Sequence, residues 1–192
     1  MNTSSEQGKG DYGAELYRRY LNGDKDAFEQ IMENYHDQLI HFIFGIVHNL
    51  ADAEDIAADV FCDLIVHKHR FSFKSTLKTY IFSIAKNKSY DKVRKNVRSN
   101  DKEIEDDDGV SADEKSLEEK VLSNETVRVV HEALGEIKDE YAQVVSLTYL
   151  YGFSGDEICK VMKKSKRQVA NLLYRGKEAL KTILEKKGVN IE

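Results

Sequence analysis

Residues 154–184, SGDEICKVMKKSKRQVANLLYRGKEALKTIL, carry two helix-start signals eleven residues apart. Ser154 is followed by Glu157, and Ser165 by Gln168. In each pair the serine hydroxyl can accept from the backbone N–H three residues on, and the later side chain can reach back to the serine N–H. Two starts this close leave room for a short helix, a tight turn and a second helix. Ile158, Val161 and Met162 form the apolar face of the first. Val169, Leu172, Leu173, Leu180 and Ile183 recur at helical spacing along the second. Lys166, Arg167, Asn171, Arg175, Lys177 and Lys181 are left outward on it. From Lys160 to Lys187 there are ten Lys or Arg against two Glu, a local net of +8 in a chain of net −5. A major groove admits one helix, whose N-terminal side chains reach base edges. A basic stripe is also the electrostatic footprint expected on phosphates. The segment therefore reads as a DNA-binding helix-turn-helix, with a plain Lys-rich helix pair as the simpler account.

Outward from this segment, helical periodicity runs through nearly the whole chain and period-two alternation is almost absent. The 192 residues contain no proline, and 41% are hydrophobic. The predicted fold class is all-α: two small helical domains joined by an acidic flexible linker, the second containing the helix-turn-helix. Charge sets the division. Residues 101–119 hold ten acids and two lysines, a net of −8, whereas residues 84–98 hold six bases and one acid, a net of +5. An acidic stretch without aromatics between two basic blocks reads as disordered. The boundaries follow: a disordered N-terminus over 1–11, a first domain over 12–98, a linker over 99–121 with a helix allowed from about Ser116, a second domain over 122–187, and a tail over 188–192. No run of about 18 apolar residues is present, so no membrane insertion is expected. The opening MNTSSEQGKGDYGAE lacks the apolar core of a signal peptide. Cys62 and Cys159 sit beside apolar neighbours and are expected as buried free thiols in a reducing cytoplasm.

In the first domain, Ala27, Phe28, Ile31, Met32, Tyr35, Leu39, Phe42, Ile43 and Ile46 trace a wide apolar face, with Asp24 or Asp26 as its cap. In the next helix Ala53, Ile56, Ala57, Val60, Leu64 and Ile65 face the core. Asp52, Asp55, Asp59 and Asp63 line another face at spacings of 3, 4 and 4. That stripe is either a solvated surface or a dock for a basic partner. A third helix from near Ser75 buries Leu77, Tyr80, Ile81, Ile84 and Ala85, then turns basic. Asn87, Asp91, Arg94 and Arg98 share one face there, and Lys88, Lys92 and Lys95 the adjoining one. Such a stripe suits phosphates, with base reading limited to the Asn and Asp. Tyr90 interrupts it, and Phe71 and Phe73 precede it. These rings either hold unstacked bases or cap the core, and at least one is expected in the core.

Four segments in order resemble a bacterial RNA polymerase sigma factor of the extracytoplasmic-function (ECF) group, sigma-70 family. They are DAFEQIMENYHDQLIHF (26–42), ADAEDIAADVFCDL (51–64), LKTYIFSIAKNKSYDKVRK (77–95) and the helix-turn-helix. The resemblance spans about residues 24–98 and 125–184. It implies that Asp52, Glu54, Asp55, Ile56, Asp59 and Phe61 bind the clamp helices of the core polymerase β′ subunit. It implies that Lys86, Asn87, Lys88, Asp91, Lys92, Arg94 and Lys95 face the −10 promoter element, with the loop around Phe71–Ser75 beside a flipped base. It implies that Ser165, Lys166, Arg167, Gln168, Asn171, Arg175 and Lys177 face the −35 element, next to the β flap. The acidic linker is similar to one that threads toward the polymerase active-site channel. An anti-sigma partner and a bacterial cytoplasmic location are further family expectations. The chain departs from the family's common residues in carrying Tyr80 for Trp, Ala58 for Gln, and Ala170 and Leu172 where Lys and Arg are frequent.

Two other classes compete. A two-domain helix-turn-helix regulator that ignores polymerase leaves the acidic stripe and the separate +5 block unexplained. An enzyme would need a motif, and no phosphate loop, dinucleotide fingerprint, nucleophile elbow or zinc-binding helix is present. Cys62, His67 and His69 lack metal-ligand spacing on a helix, and the two histidines read as surface groups. No catalytic residue, metal or cofactor is expected.

Overall fold

The computed structural model describes residues 11–100 and 125–189, excepting the side chains of 99–100, 125–128 and 131. Residues 1–10 of the expected disordered terminus, linker residues 101–121 with the helix from Ser116, and 190–192 of the tail lie outside the described residues. The first domain contains α1 (Tyr12–Leu21), α2 (Lys25–Val47), α3 (Leu50–Val66) and α4 (Leu77–Asn100). The second contains α5 (Glu125–Gly135), α6 (Asp139–Tyr149), α7 (Gly155–Met162) and α8 (Lys166–Lys186). Among the described residues there is no strand.

Local chemistry sets the helix starts. Asp24, not Asp26, caps α2 by accepting from the Ala27 N–H, and Asn49 caps α3 by accepting from Asp52. Ser154 with Glu157 and Ser165 with Gln168 form both expected capping boxes. Lys163, at φ 52°, closes α7 in the left-handed conformation and makes the tight turn into α8. Two boundaries shift. Asp11 is ordered, because its carboxylate accepts from the Leu77 N–H at 2.8 Å. The helix after the Phe71–Phe73 loop starts at Leu77 and runs to Asn100, past the expected linker boundary.

Leu16, Tyr17, Ile31, Leu64 and Ile81 centre the first core. The Tyr17 hydroxyl lies 3.0 Å from the carbonyls of Leu64 and Lys68, and burial raises its pKa to about 12. Three periodicity-based expectations fail at the margin of this small bundle. Met32 is 38% exposed and Ile65 47%, and the Cys62 thiol is exposed too. Four helices cannot cover the full width of the α2 and α3 apolar faces. Cys159 is half-buried.

The two domains pack directly on one another. Tyr151 and Phe153, between α6 and α7, meet Phe42 and Phe82 of the first domain with ring centroids 5.0–6.0 Å apart. Lys78 Nζ donates to the Tyr151 carbonyl at 2.6 Å and lies 5.1 Å from the Phe153 ring. Gln143 donates to the Tyr90 hydroxyl at 2.7 Å. Glu157 divides its oxygens between the domains. Oε2 accepts from the Ser154 N–H and hydroxyl, while Oε1 accepts from the Thr76 and Thr79 hydroxyls at 2.8 and 3.1 Å.

Gly176, inside α8, lets α6 approach. A Cβ there would stand 2.9 Å from Val145 Cγ2 and 3.2 Å from the Tyr141 carbonyl. We expect Gly176→Ala to lose ~1–3 kcal/mol through overpacking, despite its better helix propensity. Urea unfolding checks this, and a stabilised variant would contradict it. Glu157 gives a second expectation. Burial opposes its ionisation, but four hydrogen bonds from Ser154, Thr76 and Thr79 outweigh it and hold the pKa below 4.5. A depressed carboxyl pKa contributes stability above the unfolded value and loses it as pH falls through the folded one. The melting difference between wild type and Glu157→Gln should therefore be steady near neutrality and shrink below pH 4.5; a difference that persists in acid contradicts the assignment.

Candidate nucleic-acid interface

The acidic helix α3 uses its carboxylates in two directions. Ala53, Ile56, Ala57, Val60, Phe61 and Leu64 hold it in the core. Ile56 and Phe61, expected at a partner surface, are buried and act as its anchors. Glu54, Asp55 and Asp59 are exposed. Asp52, Asp59 and Asp63 also turn toward α4. Lys92 lies 2.6 Å from Asp52, and Lys88 lies 3.2 Å from Asp63 and 3.5 Å from Asp59. Burial works against the Lys88 charge, but the two carboxylates outweigh it and raise its pKa.

Helix α4 thus presents three faces. Lys88 and Lys92 point at α3. Lys86 and Tyr90 point at the second domain, with the ammonium 5.0 Å from the Tyr90 ring. Burial, then Lys163 and Lys164, lower the Lys86 pKa. The open face carries Asn87, Asp91, Arg94 and Arg98, and Lys95 follows Lys92 on the adjoining face; all five are exposed. Asp91 holds Arg94 at 2.8 Å. The seven residues expected at the −10 element therefore divide, with Asn87, Asp91, Arg94 and Lys95 open to solvent and three lysines engaged within the protein.

The loop before α4 divides as well. Phe71 is buried against Tyr17 and Tyr80, with ring centroids 5.6 and 5.1 Å away. Phe73, at φ 58°, stands half-buried with the Arg18 guanidinium 4.7 Å over its ring. Phe71 is therefore core, as expected for at least one of the two rings.

In α8, Val169 and Leu184 face inward, while Arg167, Asn171, Arg175 and Lys177 are exposed. Ser165 and Gln168 make the capping box, so their side chains bond each other and the first turn. Lys166 is 2.7 Å from Asp156, which raises its pKa. Tyr174 went unnoticed in the sequence although it is 69% exposed between Asn171 and Arg175. Its signal was its absence from the apolar stripe of a helix otherwise regular in that pattern. The cross-domain bonds of Lys78, Gln143 and Glu157 were also missed, although Glu157 was read as a cap.

Comparison with known proteins agrees with this layout. Residues 31–99 match the sigma-70 region 2 family, and residues 128–180 match the sigma-70 region 4 family. The chain is 28% identical over 167 residues to the ECF RNA polymerase sigma factor SigW of Bacillus subtilis, spanning 83% of this chain and 89% of that protein. It is 25% identical over 165 residues to SigX of the same organism, spanning 84% and 85%. Its fold is similar to CnrH, solved in complex with the cytosolic domain of CnrY, at a TM-score of 0.66 and 20% identity, covering 92% of this chain and 99% of that one. It is also similar to the sigma factor RpoE of Bartonella quintana, solved with the anti-sigma factor NepR, at a TM-score of 0.65 and 18% identity, covering 82% and 96%. Among the described residues, no helix is long and apolar enough to cross a membrane. With a region 2 and a region 4 on one all-α chain, in the order of the ECF relatives, the protein belongs to the sigma-70 family as an ECF sigma factor, a promoter-recognising subunit of RNA polymerase.

Proposed function

We propose that the first domain, 12–98, docks on the β′ clamp helices of core polymerase through Glu54, Asp55 and Asp59 of α3, and meets the −10 element through the open face of α4. The second domain, 122–187, meets the −35 element through Arg167, Asn171, Arg175 and Lys177 of α8, beside the β flap. The observation that carries this reading is the separation of one acidic and two basic faces on helices whose opposite sides are fixed in a core. Asn87 and Asp91 supply the hydrogen-bonding groups on α4, and Arg94 and Lys95 the phosphate contacts. On α8, the chemistry at Ala170 and Leu172 is apolar, so charge lies at Lys166–Arg167 and at Arg175–Lys177, and grip comes from these two ends. The protein contributes specificity and no bond-making chemistry, and it works in the cytoplasm with its polymerase. The anti-sigma complexes of the structural relatives support a protein partner of that kind here too.

The deciding experiment is gel filtration with core polymerase: the purified chain should co-elute. Reversing Asp55 and Asp59 to Lys should weaken that association by about tenfold or more while helical content is kept. Unchanged co-elution of the variant would reject docking through α3. Separately, Asn87→Ala with Asp91→Ala should relax the −10 sequences used in reconstituted transcription by ~1–3 kcal/mol at a contacted base pair. An unaltered preference would remove these two side chains from base reading.

A further inference from the structure

A cavity of about 330 Å³ opens between the second half of α2 and helices α5 and α6. That volume suits a small molecule. Phe42 and Tyr151, whose rings meet edge to face 6.0 Å apart, line it together with Phe44. Its charged lining has one sign. Glu132 and Asp139 contribute carboxylates, and among the described residues no lysine or arginine lines it. Gln143 lines it too and is 4% exposed. Its Nε2 donates to the Tyr90 hydroxyl at 2.7 Å, while its Oε1 has no hydrogen-bond partner. A buried amide oxygen ordinarily has a donor, so this atom marks a place for one. We propose that the cavity binds a small organic ammonium ion with an apolar body. Its N–H groups donate to Gln143 Oε1 and the Asp139 carboxylate, and its carbon frame lies against the three rings.

Each feature selects for this chemistry. Aromatic faces carry the negative end of a quadrupole and attract cations. An anionic ligand would meet two carboxylates of its own sign. A wholly apolar ligand would bury the Gln143 oxygen further and leave it unpaired. The two acids differ in what they have to give. Glu132 shares Lys187 with Glu136, at 3.2 and 2.8 Å, so its part is in the field of the site. Asp139 is exposed in the first turn of α6, where a carboxylate also suits the helix dipole. That setting alone accounts for Asp139 but not for Gln143. Glycines leave the room. Gly45 and Gly135 line the cavity, and a Cβ on either would meet no atom within 4 Å. Glycine is unfavourable inside a helix, and no close neighbour accounts for Gly45 within α2. What its missing side chain leaves is open space at the cavity.

The test titrates the full-length, nitrogen-15-labelled protein with 2-phenylethylammonium chloride at neutral pH and constant ionic strength, followed by NMR. The side-chain amide signals of Gln143 and the backbone amide of Gly45 should shift and saturate, with a dissociation constant on the order of 1 mM, ordinary for so small a ligand. 2-Phenylethanol keeps the apolar body and drops the charge, and it should bind about tenfold more weakly. Asp139→Asn should weaken the ammonium about fivefold. Gly45→Leu fills the space and should abolish binding. Leucine is the better helix former, so that loss is not a loss of fold, and circular dichroism checks it. No saturable shift at Gln143 would overturn the site. So would an alcohol bound as tightly as the ammonium, or binding undiminished by Asp139→Asn or by Gly45→Leu. Neither polymerase nor DNA enters the experiment, so its outcome is independent of the docking and promoter readings above.

Discussion

Phe42 and Phe82 close on Tyr151 from the first domain, Phe153 packs beside them, and the orientation of the charged helix faces follows from that contact. Aromatic rings bury large areas and tolerate several geometries. Burial alone would therefore join the domains without fixing their angle. The polar bonds at the rim supply the angle: Lys78 to the Tyr151 carbonyl, Gln143 to Tyr90, and Glu157 to two threonines. Once these are made, the inner side of α4 is covered by the second domain and α3 lies along its flank. Only the Asn87–Asp91–Arg94 side is left to solvent.

The surface ion pairs play a different part. Lys88 and Lys92 join α4 to the carboxylates of α3, yet exposed pairs of this kind are worth ~0–1 kcal/mol. They arrange side chains more than they hold helices together. The acidic face suited to a basic partner and the basic face suited to phosphates thus partly neutralise one another in the free chain. Because each pair is weak, either partner can draw its side chains away at little expense. The same holds for Lys166 and Asp156 at the start of α8. Among these residues recognition draws on groups that are prearranged but weakly bound.

Much of this was legible in the residues. Capping boxes at Ser154 and Ser165 are local chemistry, needing only the backbone N–H groups of their own first turns, and both formed. The open face of α4 followed from helical spacing alone. Burial at Ile56 was legible in the same way, whereas Phe61 was left off the apolar stripe and is buried beside it. Met32, Ile65 and Cys62 were misread because periodicity tells which side of a helix faces inward, not how far neighbouring helices extend to cover it. The fates of Lys86, Lys88 and Lys92 were hidden for a related reason. A lysine stripe is the same string whether it meets phosphate or a neighbouring carboxylate.

The sequence by itself determined five of the eight described helices, α2, α3, α4, α7 and α8, to within a few residues from caps and apolar stripes, together with the division into two domains and the sign of charge on each face. These depend on interactions within a few turns of helix. Only the tertiary structure decided that the two domains share a seam, that Glu157 serves both, and that the reading helices lie side by side. Those contacts join residues about 80 positions apart, such as Thr76 and Glu157, whose meeting depends on shape and burial summed over both halves. No local pattern encodes such a sum.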